Sequence, residues 1–223
     1  MIEGIIFDMD GLLFSSEQVV QRSWNIVGES LGLGKIGEHI YHTLGMNVKS
    51  RMEYFYKAYG PDFPSEAFTV ETRKTFQQIA DEEGIPLKPG VKEFLEYVKE
   101  RDYKLAVATS SRREHSSRLL KSGGIYGYFD GFVYGDMVIN AKPDPEIYTS
   151  ACSLIGADPG NCIALEDAPN GIRSAYAAGL HPIMIPDLVQ PTQEICTLAY
   201  KVFDNIYEAT GALEELEKQE AGK

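Results

Sequence analysis

Residues 4–12 read GIIFDMDGL, a short apolar stretch that ends in two aspartates one residue apart. The apolar residues predict a β-strand, and side chains two positions apart on an extended chain point to the same side. Asp8 and Asp10 can therefore face one small volume where the strand ends. Two carboxylates this close need a proton or a cation between them. A simple Asp-Gly turn is the plainer interpretation of this stretch, so the rest of the sequence has to decide between a turn and a site.

Four other apolar stretches resemble the first, and helical patterns separate them from one another. We predict strands at these stretches: Lys104–Ala108, Gly131–Tyr134, Cys162–Leu165 and Pro182–Ile185. Strands that alternate with helices are typical of an α/β fold. The predicted fold is a Rossmann-like parallel sheet with helices on both faces, in which Gly123 and Gly156 end helices in the left-handed conformation.

Residues 15–87 differ from the rest because they contain no strand-like stretch. Apolar residues recur there at helical spacing, first at Val20, Trp24, Val27 and Leu31. The segment is far longer than an ordinary connection of about 4–6 residues, and structured insertions at a strand end commonly act as lids. We therefore predict a helical cap domain over residues 15–87 and an α/β core formed by residues 1–14 and 88–223.

The composition narrows the classes of partner. With a formal net charge of -12 over 223 residues, the chain lacks the excess of Lys and Arg that binds nucleic acid or acidic membrane surfaces. Its three cysteines are an odd number, which fits a disulfide-stapled secreted domain poorly. The sequence shows no signal peptide and no apolar run of about 18 residues. We expect a cytoplasmic protein with a small-molecule partner, no nucleic-acid or membrane partner, and a monomer as the favoured state.

Hydroxyl groups follow the predicted strand over residues 104–108. In an open parallel sheet, ligands bind beyond the carboxyl ends of the strands, so residues at these ends are candidate site residues. Thr109, Ser110 and Ser111 stand at such an end and lead into a helical pattern. The start of a helix can bind a phosphate, although hydroxyls also serve there simply as N-caps.

Charged residues follow two other stretches. Lys142 precedes a helix that begins with Pro143, from where its ammonium could reach back over the sheet edge, although an ordinary surface lysine is the plainer interpretation. Glu166-Asp167 follows the predicted strand at residues 162–165. Acids are also favoured at helix starts by the helix dipole, but a second acidic pair opposite Asp8 would supply the oxygen ligands that Mg²⁺ prefers.

These stretches together resemble a known set of motifs. Asp8-Met9-Asp10-Gly11, Thr109-Ser110, Lys142-Pro143 and Glu166-Asp167, in this order and at strand ends, are similar to the four motifs of the haloacid dehalogenase superfamily of phosphohydrolases. The resemblance covers nearly the whole chain, including the position of the cap. It is greatest to the group with a helical C1 cap that contains β-phosphoglucomutases and small sugar-phosphate or phosphoglycolate phosphatases.

The resemblance implies a division of labour among the acidic residues. Asp8 would be the nucleophile that forms an aspartyl-phosphate, and Asp10 would protonate the leaving oxygen and later activate water. Asp8 and Asp167 would bind Mg²⁺ directly. Asp10 would contribute through its backbone carbonyl, and Glu166 would assist either as a ligand or from behind the ligands.

The resemblance also assigns the groups that hold the substrate. Lys142, Thr109 and the Ser110 N–H would bind the phosphoryl oxygens. Ser16 and Asn47 lie in the cap segments that carry substrate-binding residues in similar proteins, and they are our candidates for substrate binding in the cap. The implied activity is Mg²⁺-dependent hydrolysis of a small phosphorylated metabolite, such as a sugar phosphate.

A phosphosugar mutase of the β-phosphoglucomutase type is the alternative. Those enzymes typically carry a Thr and, four residues later, a His in the first cap helix, where this chain has Ser16 and Val20. Their phosphate-binding Arg follows Gly-Val-Ser, whereas Gly45-Met46-Asn47 leads here to Val48. A mutase must bind a second phosphate, so these differences favour a phosphatase.

Other classes remain as rivals. A phospho-accepting regulatory domain also combines acids, a hydroxyl and a Lys around Mg²⁺, but it lacks a large insert after the first strand. A binding protein that kept the fold and lost activity is also less favoured, because every motif is present. Dehalogenation is disfavoured because a metal-independent mechanism has little use for Asp10 and Glu166-Asp167. His39 and His42 have helical spacing, but we expect a polar face of the cap there rather than a metal site.

Overall fold

Six parallel strands form one sheet, with the N-terminal strand at its centre. The strands are β1 (Gly4–Phe7), β2 (Lys104–Thr109), β3 (Gly131–Tyr134), β4 (Cys162–Glu166), β5 (His181–Met184) and β6 (Lys201–Val202). Their spatial order is β3-β2-β1-β4-β5-β6, and every neighbouring pair is parallel. The computed structural model describes residues 2–43, 46 and 48–221, with Ser50 and residues 217–221 described by their backbone alone.

The three central strands run in register. Gly4 pairs with Lys104 of β2 on one side and with Cys162 of β4 on the other, and Phe7 pairs with Val107 and Leu165. All residues of β1 and β4 are buried, which explains why these strands are continuous apolar runs rather than alternating patterns. The carboxyl ends of β1, β2 and β4 therefore open at one edge of the sheet.

The chain divides into two units. Residues 1–14 and 87–223 form the α/β unit, and residues 15–86 form the helical unit. In the helical unit the described residues form α1 (Ser16–Ser30), α2 (Ile40–Thr43), α3 (Val48–Tyr59) and α4 (Ser65–Glu83). Its core is aromatic: the rings of Trp24 and Phe55 lie 5.4 Å apart, and those of Phe55 and Phe63 stack at 4.9 Å.

Helices cover both faces of the sheet in the α/β unit. They are α5 (Val91–Lys99), α6 (Arg113–Ser122), α7 (Glu146–Ile155), α8 (Pro169–Ala177), α9 (Gln193–Leu198) and α10 (Ala209–Ala221). Ile6 belongs to a buried cluster with residues of α7, whereas the ring of Phe7 contacts Phe94 of α5 at 6.0 Å. Because neighbouring residues on a strand point to opposite faces, α7 and α5 lie on opposite sides of the sheet. The predicted α/β fold is confirmed.

The strand ends differ from prediction by one residue at the positions that matter for the site. β2 continues through Thr109 and β4 through Glu166, so both residues are the last of their strands rather than the first of the following loops. The backbone accounts for one of these extensions, because Ile185 N–H donates to the carbonyl of Glu166 at 2.7 Å. The polar residues Thr109 and Glu166 are thus part of the hydrogen-bonded sheet, which fixes where their side chains begin.

Candidate active site

Asp8 follows β1 directly and is held in place by its own backbone. Its N–H donates to the carbonyl of Leu165 in β4 at 2.9 Å, which continues the sheet ladder by one step. The carboxylate is nearly buried, with 10% of the side chain exposed. The first candidate nucleophile is therefore fixed at the open edge of the sheet, as expected for a residue at the end of a central strand.

Lys142 is the cation that faces Asp8. Its Nζ donates to Asp8 Oδ1 at 2.6 Å, to Glu166 Oε1 at 2.6 Å and to the Ala108 carbonyl at 3.0 Å. Only 7% of the Lys142 side chain is exposed. An ordinary surface lysine is excluded by this burial. The residue joins the ends of β1, β2 and β4 through a single ammonium group.

Both carboxylate oxygens of Glu166 accept hydrogen bonds from the protein. Oε1 accepts from Lys142 Nζ and from the Tyr148 hydroxyl, the latter at 2.6 Å, and Oε2 accepts from the N–H groups of Asp167 and Ala168 at 3.2 and 3.3 Å. Gly171 packs directly against this carboxylate, because an added Cβ would lie 1.9 Å from its carbon. The Glu166 carboxylate is thus buried, with four hydrogen bonds from the protein and Gly171 packed against it.

Three acidic side chains meet at this edge and could hold a metal ion. Asp8, Glu166 and Asp167 are all buried, and each offers an oxygen within 4.8 Å of the others. The loop after β1 passes so closely that a Cβ on Gly11 would lie 2.2 Å from Asp167 Oδ2, and Gly11 has a φ of +84° that favours glycine. Lys142 pairs with two of these three carboxylates, Asp8 and Glu166, so the clustered carboxylates outnumber this ammonium. This donor set fits a hard divalent cation.

The buried setting of the cluster shifts the pKa values of Asp8 and Lys142. Burial raises the pKa of the Asp8 carboxyl to about 7, and the Glu166 carboxylate adds to the rise while Lys142 opposes it. Burial lowers the pKa of Lys142, but attraction by Asp8 and Glu166 outweighs it and raises that pKa above its ordinary value. Ion pairing alone would lower the pKa of Asp8. The rise in the pKa of Asp8 is therefore mainly an effect of burial, which the ammonium of Lys142 only partly offsets.

The carboxylate of Asp10 contacts a hydroxyl instead of the acidic cluster. Ser111 Oγ donates to Asp10 Oδ2 at 2.6 Å. Both side chains are half-buried. The carboxyl group of Asp10 therefore lies beside the residues that follow β2. The resemblance implies a metal contact only for the backbone carbonyl of Asp10, and this arrangement is compatible with that role.

The hydroxyl residues after β2 have three different environments. Thr109 is buried, and its Oγ1 accepts from the N–H of Ser111 at 3.1 Å. Ser110 is exposed, and its carbonyl packs against Gly135, where an added Cβ would lie 2.1 Å from that oxygen. Sequence reasoning assigned roles to Thr109 and Ser110 but none to Ser111. Ser111 is the third hydroxyl residue of this stretch, so the sequence marked it as a candidate. The sequence does not show which group a hydroxyl will contact.

Tyr148 is a second residue that sequence reasoning did not assign to the site. It lies in α7, is fully buried, and donates its hydroxyl to Glu166 Oε1. Burial, together with the Glu166 and Asp8 carboxylates, raises the pKa of Tyr148 well above its ordinary value, so the phenol stays protonated. A tyrosine on an otherwise apolar helix face needs a partner for its hydroxyl, which was the available signal.

The cap candidates lie in the helical unit. Ser16 is buried at the start of α1, and within the described part of the chain its Oγ has no hydrogen-bond partner. Asn47 lies outside the described residues. Arg51 in α3 lies over the ring of Trp24 at 5.4 Å, and its Nε is likewise buried and unpartnered among the described residues. Burial lowers the pKa of Arg51, an effect that Glu17 partly opposes.

The two cap histidines belong to an aromatic cluster. Both ring nitrogens of His39 are within hydrogen-bond distance of tyrosine hydroxyls, at 2.7 Å from Tyr54 and 2.8 Å from Tyr59. His42 stacks on the ring of Tyr54 at 6.0 Å. Because tyrosine hydroxyls occupy both ring nitrogens of His39, its spacing with His42 gives no support to a metal site there.

Comparison with known proteins agrees with the motifs. The profile of haloacid dehalogenase-like hydrolases matches residues 2–179. A phosphorylated carbohydrates phosphatase from Thermotoga maritima is 31% identical over 186 residues, which are 82% of this chain and 84% of that protein. Hexitol phosphatase B from Escherichia coli strain K12 is 31% identical over 182 residues, covering 81% of this chain and 82% of its own length. The resemblance predicted from the sequence is confirmed.

A solved structure supports the same fold. The crystal structure of β-phosphoglucomutase from Clostridium difficile superimposes with a TM-score of 0.80 over 100% of both chains, at 22% identity. At this identity the likeness shows the fold alone. Across the part of this chain that the structure describes, no helix combines the length and the apolar character of a membrane span.

Proposed function

This chain belongs to the haloacid dehalogenase-like hydrolase family, and we propose that it is a Mg²⁺-dependent phosphatase of small phosphorylated carbohydrates that works through an aspartyl-phosphate on Asp8. One observation carries this proposal: Lys142 Nζ lies 2.6 Å from both Asp8 Oδ1 and Glu166 Oε1, in a buried site that also contains Asp167. A nucleophile, a fixed cation and a set of oxygen ligands are the parts that phosphoryl transfer requires.

The proposed reaction has two displacement steps. An Asp8 carboxylate oxygen attacks phosphorus, forming an acyl phosphate as the ester P–O bond breaks, and the leaving oxygen takes a proton from Asp10. A water molecule then attacks phosphorus, giving a proton to Asp10 as the bond to Asp8 breaks and inorganic phosphate leaves. Asp10 ends with the proton that it began with, so the cycle closes.

Fixed groups around Asp8 would hold the phosphoryl oxygens. Lys142 would share its ammonium hydrogens with these oxygens when Asp8 becomes an acyl phosphate and its carboxylate charge is lost. The Thr109 hydroxyl and the Ser110 N–H, at the end of β2, would hold the remaining oxygens. Because Lys142 is fixed by buried contacts and Thr109 is the buried last residue of β2, these two groups need little reorganisation as charge develops.

Asp8, Asp167 and the backbone carbonyl of Asp10 would hold Mg²⁺. When bound, the ion would supply positive charge against the phosphoryl oxygens and keep Asp8 ionised for attack. Glu166 would support the site from behind, because its two oxygens already accept four hydrogen bonds from the protein. The surplus of carboxylates over Lys142 is the feature that this ion would balance.

The helical unit would select the substrate as a cap, with Ser16 and Asn47 as the candidate contacts. The names of the relatives from Thermotoga maritima and Escherichia coli support a phosphorylated carbohydrate or hexitol as the substrate class. A mutase stays the second candidate, but Val20 stands where those enzymes typically carry a His.

We further propose a monomer in the cytoplasm, a reducing compartment in which cysteines such as the buried Cys152 and Cys162 stay free thiols.

The test is phosphate release from a panel of sugar phosphates, hexitol phosphates, phosphoglycolate and p-nitrophenyl phosphate, with Mg²⁺ or with EDTA. We expect Mg²⁺-dependent release by the parent and a loss on the order of 10³-fold or more in Asp8→Asn. Asp62→Asn, an exposed aspartate of the helical unit, is the matched control and should keep the parent's rate. Glucose 6-phosphate formation from β-glucose 1-phosphate with a bisphosphate primer, without net phosphate release, would instead show a mutase.

A further inference from the structure

One buried hydroxyl that the proposed reaction does not use reaches the site. We propose that Tyr148 is a positioning residue, which fixes the Glu166 carboxylate and, through it, the ammonium of Lys142. The inference rests on the proposed function, because it concerns how Lys142 is aimed at a transferring phosphoryl group. Among the described contacts, the polar partners of Tyr148 are Glu166 and Lys142, and we assign it no contact with the substrate.

The contacts of Tyr148 form a closed triangle with Lys142 and Glu166. Its hydroxyl donates to Glu166 Oε1 at 2.6 Å, and Lys142 Nζ donates to the same oxygen at 2.6 Å. The hydroxyl and Nζ are themselves 3.4 Å apart, and Nζ lies 4.9 Å above the centre of the tyrosine ring. One side chain therefore contacts the ammonium through its ring and the carboxylate through its hydroxyl.

The two oxygens of Glu166 are held with unequal strength. Oε2 accepts only long bonds, from the N–H groups of Asp167 and Ala168 at 3.2 and 3.3 Å. Oε1 accepts both short bonds, from Lys142 and Tyr148. Since the terminal torsion of a glutamate has a broad energy minimum, the orientation of this carboxylate depends mainly on the short bonds.

The reaction makes the second short bond important. Lys142 has two carboxylate partners in the resting site, and the proposed chemistry converts one of them, Asp8, into an acyl phosphate. Glu166 is then the charged protein partner that remains for the ammonium among the contacts described. A carboxylate that Tyr148 already holds can keep Lys142 on the transferring phosphoryl group, whereas one held only by Lys142 and the two long N–H bonds can turn with the ammonium.

A tyrosine whose hydroxyl merely found a partner in the core would behave differently, and Tyr148→Phe separates the two cases. The variant keeps the ring and its packing and removes only the hydroxyl. Tyr134→Phe is the matched control, because Tyr134 is also buried in the α/β unit and its hydroxyl lies 3.0 Å from Ser117 Oγ, away from the acidic cluster. Both variants lose one buried hydroxyl hydrogen bond.

We expect Tyr148→Phe to lower kcat about tenfold with KM within about twofold of the parent, and Tyr134→Phe to leave both values within about twofold. A double-mutant cycle adds the coupling: in a Glu166→Gln background, Tyr148→Phe should cost less than about twofold, since its effect acts through the Glu166 carboxylate. A kcat for Tyr148→Phe within twofold of the parent, or an equal loss in both backgrounds, would overturn the inference.

Binding of orthovanadate with Mg²⁺ gives a readout that needs no turnover, because this ion mimics the geometry of a transferring phosphoryl group. We expect about tenfold weaker binding in Tyr148→Phe and unchanged binding of inorganic phosphate. A parent that binds orthovanadate but releases no phosphate from any panel compound contradicts the proposed function alone, and the Tyr148 variant still decides the inference. Equal orthovanadate binding in parent and variant overturns the inference, and no binding by the parent overturns both.

Discussion

The hydroxyl of Ser111 donates a 2.6 Å hydrogen bond to Asp10 Oδ2, across 101 positions of sequence. If Asp10 is the proton carrier, this bond sets where its carboxyl group points before substrate arrives. We expect Ser111→Ala to lower kcat about tenfold with little change in KM, as measured by phosphate release. Ser117→Ala, which removes another half-buried hydroxyl of the same unit, is the control. Equal rates for the parent and Ser111→Ala would show that Asp10 orients itself without this serine.

Stability without metal should depend on pH through Asp8. Burial raises the pKa of Asp8 from its ordinary 3.8 to about 7. The folded carboxyl keeps a proton that the unfolded one has released, so its contribution is fully present below about pH 4 and is lost as pH rises through about 7. In EDTA, Asp8→Asn should therefore be more stable than the parent at pH 8, with a difference that shrinks toward pH 4.

Melting temperatures of parent and variant between pH 4 and pH 8 measure this effect. Asp62→Asn, which replaces an exposed aspartate of the helical unit, is the control for the loss of a carboxylate. A difference between the parent and Asp8→Asn that stays constant with pH would contradict the buried, proton-holding carboxyl.

Mg²⁺ should stabilise the folded protein in the absence of any substrate. A ligand that binds only the folded state raises stability by RT ln(1 + [L]/Kd), so a hundredfold excess over Kd corresponds to about 2.7 kcal/mol. Asp167→Asn should weaken Mg²⁺ binding by more than about tenfold in a calorimetric titration, because it removes a carboxylate from the cluster with Asp8. Unchanged affinity in this variant would place the ion elsewhere.

Gly171 should tolerate no side chain. A Cβ at this position would lie 1.9 Å from the Glu166 carboxylate carbon, so Gly171→Ala must displace a carboxylate that holds Lys142. We expect a loss of about 1–3 kcal/mol in the free energy of unfolding and a fall in activity. Gly211→Ala in α10 is the matched helical control, because an added Cβ there meets nothing within 4 Å. It should be neutral or stabilise by up to about 1 kcal/mol. Equal effects of the two substitutions would argue against the close contact.

The central strands could be predicted because a strand that is buried on both faces consists of consecutive apolar residues. Gly4–Phe7 and Gly131–Tyr134 have the predicted limits. β6 escaped notice because its two residues, Lys201–Val202, are too few to form a pattern. Of the two helix-ending glycines, Gly156 is left-handed with a φ of 61°, as predicted. Gly123 is not, since the next residue, Gly124, takes that conformation with a φ of 70°.

Site residues could be predicted from the sequence where a charged residue lies at or near the end of a predicted strand. They could not be predicted where the residue lies among apolar residues in a helix. Asp8, Lys142 and Glu166 are brought together because parallel strands share one open edge. Tyr148 lies among apolar residues on one face of α7, so its pattern is that of a core residue. Only the three-dimensional position of its hydroxyl reveals a polar partner in another element.

The central position of β1 has a consequence for how the molecule is made. The strand is synthesised first, yet it pairs on one side with β2 and on the other with β4, and Asp8 meets Lys142 across 134 positions of sequence. Contacts between such distant residues form slowly, because closing the long intervening loop costs entropy before the contacts stabilise the chain. A nascent chain that still lacks β4 has Asp8 but neither the strand beside it nor Glu166 and Asp167 at that strand's end. Phosphatase activity should thus emerge late in synthesis, once the second neighbour of β1 has left the ribosome.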